Sequence, residues 1–128
     1  MVRLLIKRQF CNTDLDRIGV EIIGERNSGK SFQLVLEAHL NDGIFVTNNI
    51  DVPRTLLKDL KIDSTNIQFM TYKDFRDATN FNMCLGNKPV YIDEIGIFQK
   101  QYDLPASAYR NVCGYTAGIS DFDNKFII

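Results

Sequence analysis

The chain has 128 residues, 45% of them hydrophobic and 24% charged, with a formal net charge of −1. That is one domain's length with enough apolar content to close a core, and it excludes a disordered or collagen-like chain. Fifteen Lys+Arg against sixteen Asp+Glu exclude a global basic field, so nucleic-acid contact requires a local patch.

Residues 2–10 read as a first strand, and Asn12-Thr13-Asp14 as turn chemistry. Residues 18–23 are an apolar run closed by Gly24, the pattern of a buried parallel strand. From about Lys30 onward, Phe32, Val35, Leu36, His39 and Leu40 recur at helical spacing, and Asn41-Asp42-Gly43 supplies a stop. Residues 44–47 predict the next strand. Pro53 fits the first turn of a short helix with Leu56, Leu57 and Leu60 on its apolar face. Residues 67–72 predict a third core strand, and 74–83 a weakly patterned helix. Residues 85–88 form a loop that leads into a strand at 89–92. Residues 97–110 are irregular or helical, broken by Pro105, and 112–116 and 125–128 are final strands. Strands alternating with helices across long crossovers predict a three-layer α/β/α fold around a mostly parallel sheet. The chain reads as a single domain over residues 1–128, with residues 1–12 as an extra N-terminal strand.

Gly24-Glu25-Arg26-Asn27-Ser28-Gly29-Lys30-Ser31 fits G-x-x-x-x-G-K-S/T. Glycines let a backbone curl its N–H groups round an anion without Cβ obstruction. Lys30 adds a point charge for β- and γ-phosphates, and Ser31 offers a hydroxyl to Mg²⁺. The helix that follows points its positive end at the same place. Gly24, Asn27, Ser28, Gly29, Lys30, Ser31 and Phe32 are therefore the candidate nucleotide-binding residues. The apolar strand before the loop and the amphipathic helix after it are the context this motif requires. Arg26 occupies a free position and reads as a solvated loop residue.

Val90-Tyr91-Ile92-Asp93-Glu94 is an apolar strand ending in two acids. Magnesium at a phosphate site binds through one or two carboxylates and keeps waters. Asp93 suits that task beside Ser31, and Glu94 suits the orientation or deprotonation of an attacking water. Alternation along a strand aims the two acids differently.

Together these two motifs resemble the P-loop NTPase superfamily, in its additional-strand, catalytic-glutamate division. The resemblance implies that a further strand lies between the loop's strand and the strand carrying Asp93. It also implies ATP rather than GTP, because the guanine-reading N-K-x-D motif is missing. Relatives carry a polar sensor at the end of the inserted strand. Thr116 matches it best, with Ser120 the alternative, and a plain β-branched strand residue is the competing reading of Thr116. An arginine finger from a neighbouring subunit is implied as well. Arg110 is the best placed, with Arg54 and Arg76 as rivals, and a solvated surface arginine is the plain reading of each. The strings Gly-Lys-Ser, Phe-Val-Thr-Asn-Asn-Ile and Tyr-Ile-Asp-Glu are similar to phage-associated ATPases of the zonular-occludens-toxin and FtsK/HerA kind, which serve virion assembly or DNA translocation.

His39 reads as a structural histidine on an apolar helical face. Thr47-Asn48-Asn49, at a strand's carboxyl end, reads as turn chemistry with substrate contact as the alternative. Tyr72, Phe75, Phe81 and Phe98 read as core aromatics rather than base-stacking platforms. Arg3, Lys7 and Arg8 form a small basic cluster that edge-strand protection explains. Cys11, Cys84 and Cys113 are scattered without a CxxC pair, which argues against a disulfide scaffold or zinc site and for a reducing cytoplasm, a host's if the chain is viral. No apolar run approaches the roughly 18–20 residues of a membrane span, and the opening residues lack a signal-peptide pattern.

The expectation is a Mg²⁺-dependent ATPase acting as a homo-oligomer or within a larger assembly, with DNA or another nucleic acid as a candidate partner. A small nucleoside or nucleotide kinase is one alternative, although no arginine-rich lid segment is visible. A nucleotide-dependent regulatory module with little turnover is the other.

Overall fold

The computed structural model describes residues 4–10, 18–24, 29–62, 67–80 and 88–118. Strands β1 (Leu4–Phe10) and β2 (Ile18–Gly24) precede α1 (Lys30–Leu40), β3 (Ile44–Thr47) and α2 (Asp51–Asp59). Then come β4 (Gln68–Thr71), α3 (Tyr72–Asn80), β5 (Val90–Ile92), α4 (Ile95–Gln101), a 3-10 turn at Ala106–Tyr109 and β6 (Val112–Gly118). These strands form a six-stranded sheet in the order β1-β2-β6-β5-β3-β4. Five of them pair in parallel, and β1 lies antiparallel to β2 at the edge.

Local chemistry explains the boundaries. The Asn41 side chain donates to the Glu37 carbonyl at 2.9 Å and closes α1, and Asp42 then takes a positive φ of 53°, a common helix ending. The Asn49 side chain accepts the Asp51 N–H at 3.0 Å and starts α2, with Pro53 in the first turn, where a missing N–H costs nothing. All four residues of β3 are buried, as a central parallel strand requires. Two expectations need correction. The strand predicted to run through Tyr72 stops at Thr71, because the Thr71 hydroxyl oxygen accepts the Asp74 N–H at 3.1 Å and starts α3 one residue on. Leu60 is not part of an apolar helical face. It lies past the end of α2 and is exposed, while Leu57 is buried. The predicted strand at 125–128, Phe81 and residues 85–87 of the predicted loop lie outside the described residues.

Alternate strand residues feed two apolar clusters. Val20, Ile22, Phe45 and Tyr91 pack with Leu34, Val35 and Ala38 of α1 and Leu57 of α2. Ile23, Val46, Ile92 and Tyr115 pack with Tyr72 and Phe75 of α3 and Ile95 and Phe98 of α4. Helices thus cover both faces of the sheet, with α1 and α2 on one and α3 and α4 on the other.

One irregularity breaks the alternation. Val90 pairs with Val112, but Tyr91 pairs with Gly114, so Cys113 is an extra residue in β6. Val112 and Tyr115 consequently line the same face although they are three apart, which a regular pleat forbids. The bulge re-aims everything after it. It turns Tyr115 and Ala117 toward α3 and α4 and Thr116 toward the opposite side, where α1 lies. Gly114 makes the bulge possible. A Cβ there would lie 2.6 Å from Val20 Cγ1 and 2.7 Å from Tyr91 Cδ1. The Tyr91 ring has no room to yield, since its far edge is pressed against Gly43 in the same way. Gly114→Ala is therefore expected to destabilise the fold by about 1–3 kcal/mol, the usual cost of overpacking. Urea unfolding measures this, and an unchanged midpoint would contradict the packing described.

Candidate functional site

The parallel strands β2, β6, β5 and β3 end along one edge of the sheet, where open α/β folds bind their ligands. Gly24 closes β2 at this edge. Gly29 stands immediately before α1 with φ 87°. Nothing lies within 4 Å of where its Cβ would be, so torsion rather than space calls for glycine there. The Gly29 carbonyl accepts the Gln33 N–H at 3.1 Å and opens the helix.

The first two residues of α1 meet the acids that follow β5. The Ser31 hydroxyl lies 2.9 Å from each carboxylate oxygen of Asp93 and donates to the pair. Lys30 is buried, and its Nζ lies 2.9 Å from Glu94 Oε1. Thr116 completes the cluster from β6. Its hydroxyl donates to Asp93 Oδ1 at 2.7 Å and accepts the Glu94 N–H at 2.7 Å. This residue is fully buried, and both hydrogen-bonding capacities of its hydroxyl are used.

Burial pushes the Asp93 carboxyl above its ordinary value. The bonds from Thr116 and Ser31 pull it back, Glu94 raises it further, and Lys30 lowers it. The main chain of the pair is also fixed. The Asp93 N–H donates to the Val46 carbonyl at 2.8 Å. The Tyr72 hydroxyl donates to the Asp93 carbonyl and lies 3.2 Å from the Glu94 carbonyl. Burial, then the charges of Asp93 and Glu94, push the Tyr72 phenol upward, so it stays a protonated donor. Glu94 has φ 53° and ψ 62°, a left-handed conformation that costs a non-glycine residue about 1–2 kcal/mol. Asp42 and Lys61 share a positive φ, but both follow helices, where that conformation is common. Glu94 precedes one.

The structure thus brings Gly29, Lys30, Ser31, Asp93, Glu94 and Thr116 together. Asn27, Ser28 and Ser120 lie outside the described residues. Phe32 is half-buried on α1. Arg110 is exposed and precedes β6, at the opposite edge of the sheet from Asp93, so it is not part of this cluster within its own chain. Arg54 covers the Phe69 ring at 5.6 Å. Arg76 stacks on Tyr102 at 5.0 Å and pairs with Asp77. His39 is half-buried, with its Nδ1 buried and, among the described residues, without a hydrogen-bond partner. Asn49 serves the start of α2, as turn chemistry predicts. Phe75 and Phe98 are core residues. The Tyr72 ring is buried as well, as a core aromatic requires. Its hydroxyl belongs to the site, which an aromatic at the end of an apolar run does not announce.

Among the described residues no group of three or more His, Cys, Asp and Glu side chains converges. Ser31 and Asp93 instead offer two hard oxygen donors side by side, the set that suits a cation completing its shell with phosphate and water. No helix among the described residues is long and apolar enough to cross a membrane.

Comparison of the chain with protein-family models, with curated proteins and with solved structures yields no match.

Thr116→Val is nearly isosteric but removes the acceptor of the Glu94 N–H and a donor to Asp93. A loss of about 1–3 kcal/mol is expected, the cost of stranding a buried polar group, with Thr116→Ser recovering most of it. Equal stability of the valine variant and the wild type in urea would contradict the hydrogen-bond assignment.

Proposed function

We propose that the chain binds Mg²⁺-ATP at the β2–α1 junction and hydrolyses its γ-phosphate. The observation that carries this reading is the convergence of Lys30 and Ser31 on Asp93 and Glu94, across more than sixty residues of sequence. The order β2-β6-β5 supports it as well, since a strand between the loop's strand and the acidic strand is what the resemblance to catalytic-glutamate P-loop NTPases implies.

Each residue then has a definite task. Ser31 Oγ and the Asp93 carboxylate fit Mg²⁺ and would hold it directly or through water. The ion, when bound, neutralises charge on the phosphate oxygens. Thr116 and Ser31 keep Asp93 oriented and offset part of the cost of its burial. Lys30 turns its ammonium from Glu94 to the phosphate oxygens. Glu94, released from that pair, accepts the proton of the attacking water. The rest of catalysis is positioning and electrostatics. Adenine rather than guanine is the base, on the absence of N-K-x-D. We further infer an oligomer or larger assembly, because Arg110 is exposed at the far edge of the sheet, where a neighbouring molecule can meet it. Nucleic acid or an assembling virion component is the proposed partner.

Phosphate release and ATP titration for the wild type, Glu94→Gln and Lys30→Ala test the scheme. Glu94→Gln should bind Mg²⁺-ATP as the wild type does while turnover falls about a hundredfold or more, the usual yield of general base catalysis. Lys30→Ala should weaken binding about tenfold or more, since charge-assisted bonds contribute about 1.5–3 kcal/mol. Normal hydrolysis by Glu94→Gln would remove Glu94 from the chemistry. A phosphorylated nucleoside product would replace hydrolysis with phosphotransfer, and tight binding without turnover would replace it with a switch.

A further inference from the structure

The peptide unit joining Asp93 to Glu94 is gripped from both sides. Its carbonyl accepts the Tyr72 hydroxyl proton, and its N–H donates to Thr116 Oγ1 at 2.7 Å. Rotation of this peptide plane would break both bonds together, and both side-chain partners are buried: Tyr72 is 3% exposed and Thr116 is fully buried. The orientation of that plane fixes φ of Glu94, which is 53° and therefore not a conformation glutamate adopts without restraint. Residues held this way persist where surrounding contacts over-determine them, and they cluster at functional sites. We propose that Tyr72 is a positioning residue for Glu94, its hydroxyl closing with Thr116 a clamp on the Asp93–Glu94 peptide that aims the Glu94 carboxylate.

The inference rests on the hydrolytic reading above, and it adds a connection that reading lacks. Tyr72 is the first residue of α3, directly after β4. It reaches Asp93 across the end of β3, which separates β4 from β5 in the sheet. Its ring is anchored edge-on against Phe98 of α4 at 5.2 Å, and Phe98 also donates its N–H to the Glu94 carbonyl at 3.1 Å. The aim of Glu94 is thereby tied to the outer corner of the sheet, so that displacement of α3 reaches the proposed base without passing through the phosphate loop. The hydroxyl touches no reacting atom. It acts through the main chain of Glu94.

Tyr72→Phe keeps the ring and removes the clamp. The expected result is a fall of about tenfold to a hundredfold in kcat, the effect of a small misplacement of a catalytic group, with the Kd for Mg²⁺-ATP within twofold of wild type. In a Glu94→Gln background the same substitution should have no further effect on the residual rate, because the group it positions is already gone. Tyr109→Phe is the control, a buried tyrosine on the same aromatic cluster, and it should leave kcat unchanged. A Tyr72→Phe protein with wild-type kcat, an equal loss in Tyr109→Phe, additive losses in the double variant, or failure of Tyr72→Phe to fold would each overturn the clamp while leaving hydrolysis intact. A wild-type chain that does not turn over ATP would overturn both.

Discussion

A carboxyl group partly withdrawn from water must be met by donors, and in this fold Asp93 sets that demand. Its acceptors are satisfied by Ser31 from the start of α1 and by Thr116 from the end of β6. Three elements distant in sequence are therefore held at one point by a single half-buried carboxyl group. Breaking such an arrangement on one side leaves the charge uncompensated, which is costly. The same contacts that stabilise Asp93 draw Lys30 toward Glu94. The geometry of the sheet edge and the chemistry proposed for it are thus one arrangement.

The sheet order makes that meeting possible. With β6 between β2 and β5, the helix that follows β2 and the acids that follow β5 face each other over the end of one strand. Thr116 comes from that intervening strand. It would point to the wrong face without the extra residue at Cys113, so a backbone irregularity far from any motif places the side chain that meets Asp93 and Glu94. Gly114 and Gly43, which leave room for the Tyr91 ring, belong to the same requirement.

Much of this was legible in the sequence. Apolar runs closed by glycine or followed by turn residues placed β2, β3, β5 and the start of α1, because burial on both sides gives a central parallel strand a continuous apolar signature. The loop motif and the acidic pair named Lys30, Ser31, Asp93 and Glu94, because their chemistry restricts residue type and spacing. The bulge was not legible, since register depends on the neighbouring strand and not on β6 itself. Nor was the end of β4: an apolar run continuing into Tyr72 reads as strand, and only the Thr71 bond to the Asp74 N–H ends it. That boundary concealed Tyr72, whose hydroxyl reaches Asp93 from an element about twenty residues earlier. The antiparallel pairing of β1 was likewise open, because an edge strand carries no periodicity that states its direction.

On the proposed reading, this cluster is a receptor for a magnesium-bound triphosphate. Calorimetric titration of ATP into the folded chain, with and without Mg²⁺, tests it most directly. Binding should be saturable and should strengthen when Mg²⁺ is present, because Ser31 and Asp93 then add their oxygens to the complex. Absence of any binding heat at both conditions, on protein with an intact cooperative unfolding transition, would contradict it.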